Sequence, residues 1–208
     1  STPPAKIARI EAWAARVIVE GDVWDDANTA AQDAARQSGA AYIHPFADRA
    51  VIAGQGTVGL EILEQAPDID TVIVAPGGGG LIAGGSATIK ALRPDIRVIG
   101  VEPTGAPTHV ESRRAGELVT LAEITTIAGT LAPRRSETIN FDIISQSVDD
   151  IVLVSDDDMR AAARWLWFEL GVAAELSGAA ALAALRCGRV QGSHVCALVC
   201  GAGTDGQA

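Results

Sequence analysis

Apolar residues fall into two rhythms along this chain. Unbroken runs of aliphatic and β-branched residues occur at Thr71–Ala75, Ile96–Val101, Ile151–Val154 and Val195–Val199. They lack the alternation of a sheet with one wet face, so they read as strands buried on both sides, as in a parallel sheet. Arg16–Val19 and Ala41–Ile43 read as two shorter strands. Between the runs, apolar positions recur every three to four residues. This predicts helices over Ala5–Ala15, Val23–Ser38, Val58–Gln65, Leu81–Leu92, Ser155–Leu170 and Ser177–Arg186. The punctuation agrees: Ser155 is a good N-cap, Asp156–Asp158 suit the positive end of a helix, and Gly39, Gly171 and Gly188 stand where helices stop. His44–Ile52 reads as a loop, and 103–147 is the least periodic stretch, with one apolar patch at Ile124–Ala128. Alternating strands and helices specify an α/β protein with an open, mostly parallel sheet.

Open α/β sheets gather their functional loops at the carboxyl ends of strands. Four segments are read as such turns: Gly54–Thr57, Gly77–Gly80, Glu102–Thr108 and Cys200–Thr204. The strongest is Pro76-Gly77-Gly78-Gly79-Gly80-Leu81, set between a strand and a helix. One or two glycines satisfy the dihedral demands of a tight turn. Four in a row point to a backbone that a ligand approaches closely, with N–H groups and a helix N-terminus facing a phosphate. A thiol at Cys200, just past the last strand, could exchange one hydrogen bond with a ring nitrogen, or it is an ordinary buried cysteine. Glu175 reads as a cap-region carboxylate before the helix at Ser177. His44 and His109 have no partners at informative spacing.

Composition narrows the classes. A chain of 208 residues, 48% hydrophobic, can bury a substantial core, although aromatics supply only 4% and the core must come from Ala, Val, Ile and Leu. A net charge of -10 without a basic cluster argues against nucleic acid. No apolar stretch has the length of a membrane span. Three cysteines, Cys187, Cys196 and Cys200, form neither an even disulfide framework nor a CxxC pair. A reduced, cytoplasmic setting is expected.

Taken together, the motifs resemble those of the pyridoxal-phosphate-dependent threonine/serine dehydratases, within the wider fold group of tryptophan synthase β and serine racemase. The resemblance covers nearly the whole chain. It rests on Pro4-Ala5-Lys6, Ile43-His44-Pro45-Phe46, Gly54-Gln55-Gly56-Thr57, Gly77-Gly78-Gly79-Gly80-Leu81, Gly100-Val101-Glu102-Pro103 and Glu175-Leu176-Ser177-Gly178-Ala179-Ala180, in the family's order at about its spacings. It implies a three-layer α/β fold of the tryptophan synthase β-like type (fold type II). Residues 1–43 would be a remnant of a smaller α/β domain, and 44–208 the large cofactor-binding domain. It implies that the N–H groups of Gly77, Gly78, Gly79 and Gly80, with Leu81, hold the phosphate of pyridoxal 5′-phosphate. Cys200, with Gly201, would face the pyridine nitrogen where the family usually has serine. Glu102 and the Ala106 carbonyl match a cation site of some relatives, monovalent or divalent, but Thr108 stands where those relatives carry an acidic ligand. The terminal turn, Cys-Gly-Ala-Gly, departs from the usual Ser-Gly-Gly-Asn.

By the same resemblance, the reaction is β-elimination from L-threonine, L-serine or a close 3-hydroxy amino acid, giving a 2-oxo acid and ammonia. The family's Schiff-base lysine and its substrate-carboxylate loop lie upstream of the residues matched here. The sequence contains two lysines, Lys6 and Lys90, and neither matches the Schiff-base position. The chain is thus expected to correspond to the carboxyl-terminal two-thirds of such an enzyme and to need an amino-terminal segment as partner, in a homo-oligomer. A racemase or other β-eliminating lyase, a non-catalytic scaffold or regulatory fragment, and a nucleotide-binding module remain as alternatives.

Overall fold

The four long aliphatic runs become strands and lie side by side. The computed structural model describes residues 4–21 and 24–203. Among them β1 (Thr71–Val74), β2 (Arg97–Pro103), β3 (Asp150–Val154) and β4 (Val195–Ala197) form a parallel sheet in the order β3-β2-β1-β4. Thr71 sits opposite both Arg97 and Val195. Every residue of β1 is buried, as its unbroken Thr-Val-Ile-Val run requires of a central strand.

Eight helices accompany these strands among the described residues: α1 (Pro4–Glu11), α2 (Trp24–Ser38), α3 (Arg49–Gln65), α4 (Gly80–Leu92), α5 (Thr108–Ala115), α6 (Thr138–Ser147), α7 (Asp156–Leu170) and α8 (Leu176–Arg186). The two faces of the sheet each build a core. Ile73, Ile99 and Val101 pack with Met159 and Leu166 of α7 and Ala179–Ala184 of α8. Val72, Val74 and Val98, of opposite parity along their strands, pack with Ile82 and Ile89 of α4 and Ile144 of α6. Burying each such aliphatic side chain contributes about 1.5–3 kcal/mol. The result is helix, sheet, helix, the three layers expected.

Contacts divide the chain into two units, Ser1–Ile43 and His44–Ala208. In the first, the segments 16–19 and 41–43, expected as strands, are not strands. A strand exists through its ladder, and among the described residues neither segment finds a backbone partner. The described part of this unit therefore has helices without a sheet, not the part of a smaller α/β domain that was expected. Of the expected boundaries, Val23 and Thr204 lie outside the described residues.

In the second unit, three expectations change. Gly54-Gln55-Gly56-Thr57 is no turn at a strand end. It lies inside α3, which starts earlier because Asp48 caps it, accepting from Ala50 N at 2.7 Å and Val51 N at 3.2 Å. Gly56 serves helix contact instead: a Cβ on it would stand 2.7 Å from Thr88 Oγ1, and one on Gly84 of α4 would stand 2.1 Å from Ile52 O, whereas one on Gly54 would meet nothing within 4 Å. The stretch read as aperiodic holds α5, a 3-10 turn at Gly129–Leu131, and α6. The remaining change is in length: the expected strand Val195–Val199 is shortened to Val195–Ala197.

Candidate cofactor site

Parallel pairing of β1 with β4 brings the tetraglycine turn beside Cys200. Both follow the carboxyl ends of their strands, and both line a cavity of about 180 Å³. Ala75, Pro76, Gly77, Gly78 and Leu81 form one wall, Thr130 and Leu131 another, and Glu175, Ser177, Gly178 and Cys200 the rest. The first turns of α4 and α8 thus both border it, each presenting the positive end of a helix. Glu175 is the one charged side chain in that lining, and no lysine or arginine contributes. An anion here would be held by main-chain dipoles.

The donors for this exist. Gly79 N–H closes the turn on Pro76 O at 2.9 Å, and Ala83 N–H bonds Gly79 O at 2.9 Å. The N–H groups of Gly77, Gly78, Gly80 and Leu81 donate to no acceptor among the described residues. Of the four glycine amides expected to face a phosphate, Gly79 is thus committed within the turn itself, while the others and Leu81 are open.

The glycine run has a second cause, which lies in the packing around the turn. Gly77 and Gly79 have φ of +55° and +104°, where L side chains are strained. A Cβ on Gly78 would stand 2.4 Å from the Phe46 ring, one on Gly80 2.6 Å from Phe46 O, and one on Gly77 2.8 Å from Thr130 O. Each of the four glycines is thus required by the packing of the chain itself, so their number is not by itself a sign of a ligand. The open amides carry that argument instead.

Behind the turn, three buried side chains take its carbonyls. His109 Nε2 lies 3.0 Å from Gly77 O. A carbonyl can only accept, so Nε2 carries the proton. Ser136 Oγ donates to Gly78 O at 2.9 Å, and Asn140 Nδ2 donates to Gly78 O at 3.0 Å and to Phe46 O at 2.9 Å. Burial pushes the His109 ring down to about 4, so it is neutral near pH 7. His109, which has no partner at informative spacing along the sequence, finds one here in Gly77 O. Its partner becomes visible only once β1 and β2 are neighbours, and the available signal was its place just after the turn that follows β2.

The remaining candidates separate. Cys200 lines the cavity, and burial, with the nearby Glu175 charge, pushes its thiol up, so it stays protonated. Gly201 lies outside the lining at φ +76°; its carbonyl accepts from Glu175 N–H at 2.9 Å. Glu175 occupies the N-cap position of α8, yet its side chain caps nothing there; Thr130 Oγ1 donates to its Oε1 at 3.1 Å. Glu102 and Ala106 lie behind the turn, both buried. The two Glu102 oxygens accept from His109 N at 2.8 Å and Val110 N at 2.9 Å, capping α5, and burial raises the carboxyl to about 7. Among the described residues no three His, Cys, Asp or Glu side chains gather as a metal site. Lys90 sits near the far end of α4 from the turn, its Nζ 2.7 Å from Asp149 Oδ2 and donating to Ile96 O at 2.8 Å. A larger groove of about 280 Å³ between α3, α4 and α6 is almost wholly apolar and offers one charged group, Arg49.

Comparisons with known proteins bear on the same region. The sequence profile described as "Pyridoxal-phosphate dependent enzyme" matches residues 1–201. The chain is 37% identical over 204 residues to an L-threonine ammonia-lyase of Thermotoga maritima, covering 98% of this chain and 51% of that protein. It is 38% identical over 208 residues to a phenylserine dehydratase of Ralstonia pickettii, covering 97% and 63%. Among solved structures, the processed form of threonine deaminase isoform 2 from Solanum lycopersicum superposes with a TM-score of 0.89 at 35% identity, covering 98% of this chain and 57% of that one. The chain spans about half the length of the first two curated relatives it matches, 51% and 50%. The matched span takes in the parallel sheet, the open amides of the glycine turn and Cys200. Fold, turn and sequence together make this chain a member of the pyridoxal-phosphate-dependent enzymes of the tryptophan synthase β-like fold.

Proposed function

We propose that this chain is the cofactor-binding part of a lyase that eliminates water from a small 3-hydroxy amino acid to give an enamine, whose hydrolysis takes one water back and releases ammonia and a 2-oxo acid. L-threonine, L-serine or a close analogue is the substrate class. The observation that carries this reading is the set of open amides at Gly77, Gly78, Gly80 and Leu81 beside a cavity with no cationic side chain. A phosphoryl group satisfies four donors that water or a side chain would otherwise have to satisfy. The relatives named for threonine and phenylserine are 37% and 38% identical to this chain.

Pyridoxal phosphate, when bound, supplies an electron sink beside the substrate α-carbon. The chain's residues have separate tasks. The turn amides and the N-termini of α4 and α8 would hold the phosphoryl group. Cys200, whose thiol burial and Glu175 keep protonated, would offer a neutral S–H rather than a carboxylate to the ring nitrogen and so would stabilise no positive charge there. Such a partner suits elimination, which needs less electron withdrawal than transamination. Ser177 and Thr130 line the cavity as neutral polar groups.

The amine that would anchor the cofactor and move the α-proton is not Lys90, which is bound to Asp149 at the other end of α4. We assign it to an amino-terminal segment outside these 208 residues, in the same polypeptide or a separate chain. A homo-oligomer of that assembly is expected. Glu102 with Ala106 is proposed as the position of a cation only in a state where Glu102 turns from α5. The test is a purified complete assembly mixed with pyridoxal phosphate. A visible absorbance band abolished by borohydride, and 2-oxo acid formed from L-threonine and L-serine, are the expected results. Failure to bind pyridoxal phosphate, or a diphosphate nucleotide binding in its place, overturns the reading.

A further inference from the structure

Three side chains hold the back of the glycine turn and touch nothing in the cavity: His109, Ser136 and Asn140. All three are essentially fully buried, at 0%, 1% and 0% exposure. A buried polar side chain with an apolar alternative of similar size calls for a reason. His109 Nδ1 and Asn140 Oδ1 are buried with no hydrogen-bond partner, so these residues bear an uncompensated polar atom each. What they hold in return is the orientation of two peptide planes.

The geometry follows from the peptide itself. In a trans peptide the C=O and the following N–H point in opposite directions. His109 draws Gly77 O to its own side, which turns Gly78 N–H to the opposite side. Gly77 and Gly78 line the cavity and His109 does not, so that opposite side is the cavity. Ser136 and Asn140 draw Gly78 O back in the same way, leaving Gly79 N–H directed at Pro76 O, where it closes the turn. That closure sets the start of α4, and with it the amides of Gly80 and Leu81. Glycines at 77–80 would otherwise leave these planes free to flip, because no Cβ restrains them.

We propose that His109, Ser136 and Asn140 are positioning residues that pre-orient the turn amides toward a phosphoryl group, with His109 fixing the Gly78 N–H. The inference rests on the anion-cradle reading above and adds which side chains make the cradle selective for a phosphorylated ligand. Preorganised donors bind without the cost of ordering them. Loss of a back-side donor lets the turn sample flipped planes, and the penalty falls on the phosphate interaction rather than on the ring.

The test compares pyridoxal phosphate with pyridoxal, which lacks the phosphoryl group, by equilibrium dialysis against the complete protein. His109→Leu removes the donor at similar bulk. It should weaken pyridoxal phosphate about tenfold, the loss of roughly one buried hydrogen bond, and change pyridoxal less than about twofold. His109→Gln, whose amide N–H can reach Gly77 O, should recover most of the difference. Ser136→Ala leaves Asn140 on Gly78 O and should show a smaller loss, about threefold, with the same selectivity. Inorganic phosphate as competitor should weaken in parallel with pyridoxal phosphate. Should His109→Leu fail to fold, the glutamine and Ser136→Ala proteins decide the matter by the same ratio. Variants that keep the wild-type preference for the phosphorylated ligand, or that weaken both ligands equally, overturn the positioning role alone. A wild-type protein that prefers neither ligand overturns the cradle itself and this inference with it.

Discussion

Two adjacent glycines in α4 should respond to the same substitution with opposite signs. An added Cβ at Gly84 would stand 2.1 Å from Ile52 O, 2.7 Å from Gly56 N and 3.0 Å from Gln55 Cβ, all on α3. Two of those atoms are backbone, so no side chain can rotate away, and the two helices must separate by about an ångström. Overpacking of this kind costs about 3 kcal/mol. Replacing glycine by alanine inside a helix returns about 1 kcal/mol. Gly84→Ala should therefore lose about 2 kcal/mol or more. One position on, a Cβ at Gly85 meets nothing within 4 Å. Gly85→Ala should gain about 0.5–1 kcal/mol, chiefly by restricting the unfolded chain. For a chain of 208 residues, 1 kcal/mol moves the melting temperature by about 2–4 °C. Urea unfolding and thermal melts of the two variants beside wild type give both numbers. Equal midpoints for Gly84→Ala and wild type, or a fall in both variants, would refute the reading of α3 and α4 as a glycine-mediated contact.

Other outcomes follow from single contacts. His109, lowered by burial to about 4 from 6.5, stabilises fully above about pH 6.5 and loses that contribution as pH falls. Glu102, raised by burial to about 7 from 4.5, stabilises fully below about pH 4.5 and loses its contribution as pH rises. The two slopes oppose each other in between. His109→Gln should leave Glu102 uncompensated, so stability should rise on going from about pH 7 to about pH 5 by up to about 1.4 kcal/mol per unit more than in wild type; matching slopes in urea titrations would contradict it. Ser155→Ala breaks the capping box in which Asp158 N–H donates to Ser155 Oγ at 3.1 Å and Ser155 N–H donates to Asp158 Oδ2 at 2.9 Å. A loss of about 1 kcal/mol in unfolding free energy is expected, and no change would show that α7 does not depend on its cap. Iodoacetamide near neutral pH should modify exposed Cys187 well before Cys200, whose thiol burial and Glu175 hold protonated. Peptide mapping that finds Cys200 labelled first would sink the neutral-thiol assignment.

The sheet and its major helices were legible because buried parallel strands are continuous aliphatic runs and because α7 and α8 carry their own stops at Gly171 and Gly188. The start of α3 was not, since Gly54-Gln55-Gly56 has the local look of a turn. Gly56 answers to Gly84 and Thr88 on another helix, a demand no local window contains. Arg16–Val19 has strand composition, but composition supplies no ladder partner. At the site, the glycine turn and Cys200 were visible from the strands they follow. His109, Ser136 and Asn140 were not, because each acts on a carbonyl brought near only by the folded sheet and α6. The four-glycine run is visible in the sequence, but the packing of Phe46 and Thr130 against Gly77, Gly78 and Gly80 is not, because those contacts exist only in the fold.

The pairing of Thr71 with Val195 has a kinetic consequence. The two rims of the cavity come from stretches widely separated along the polypeptide, and such long loops close after local helices and nearer strands have formed. The hollow between them is therefore completed late in folding. β4, the outer strand beside β1 among the described residues, is three residues long with half-buried side chains, held through few ladder bonds. A molecule gripping both rims would clasp that strand to the centre of the sheet and raise resistance to unfolding with its concentration, as RT ln(1 + [L]/Kd).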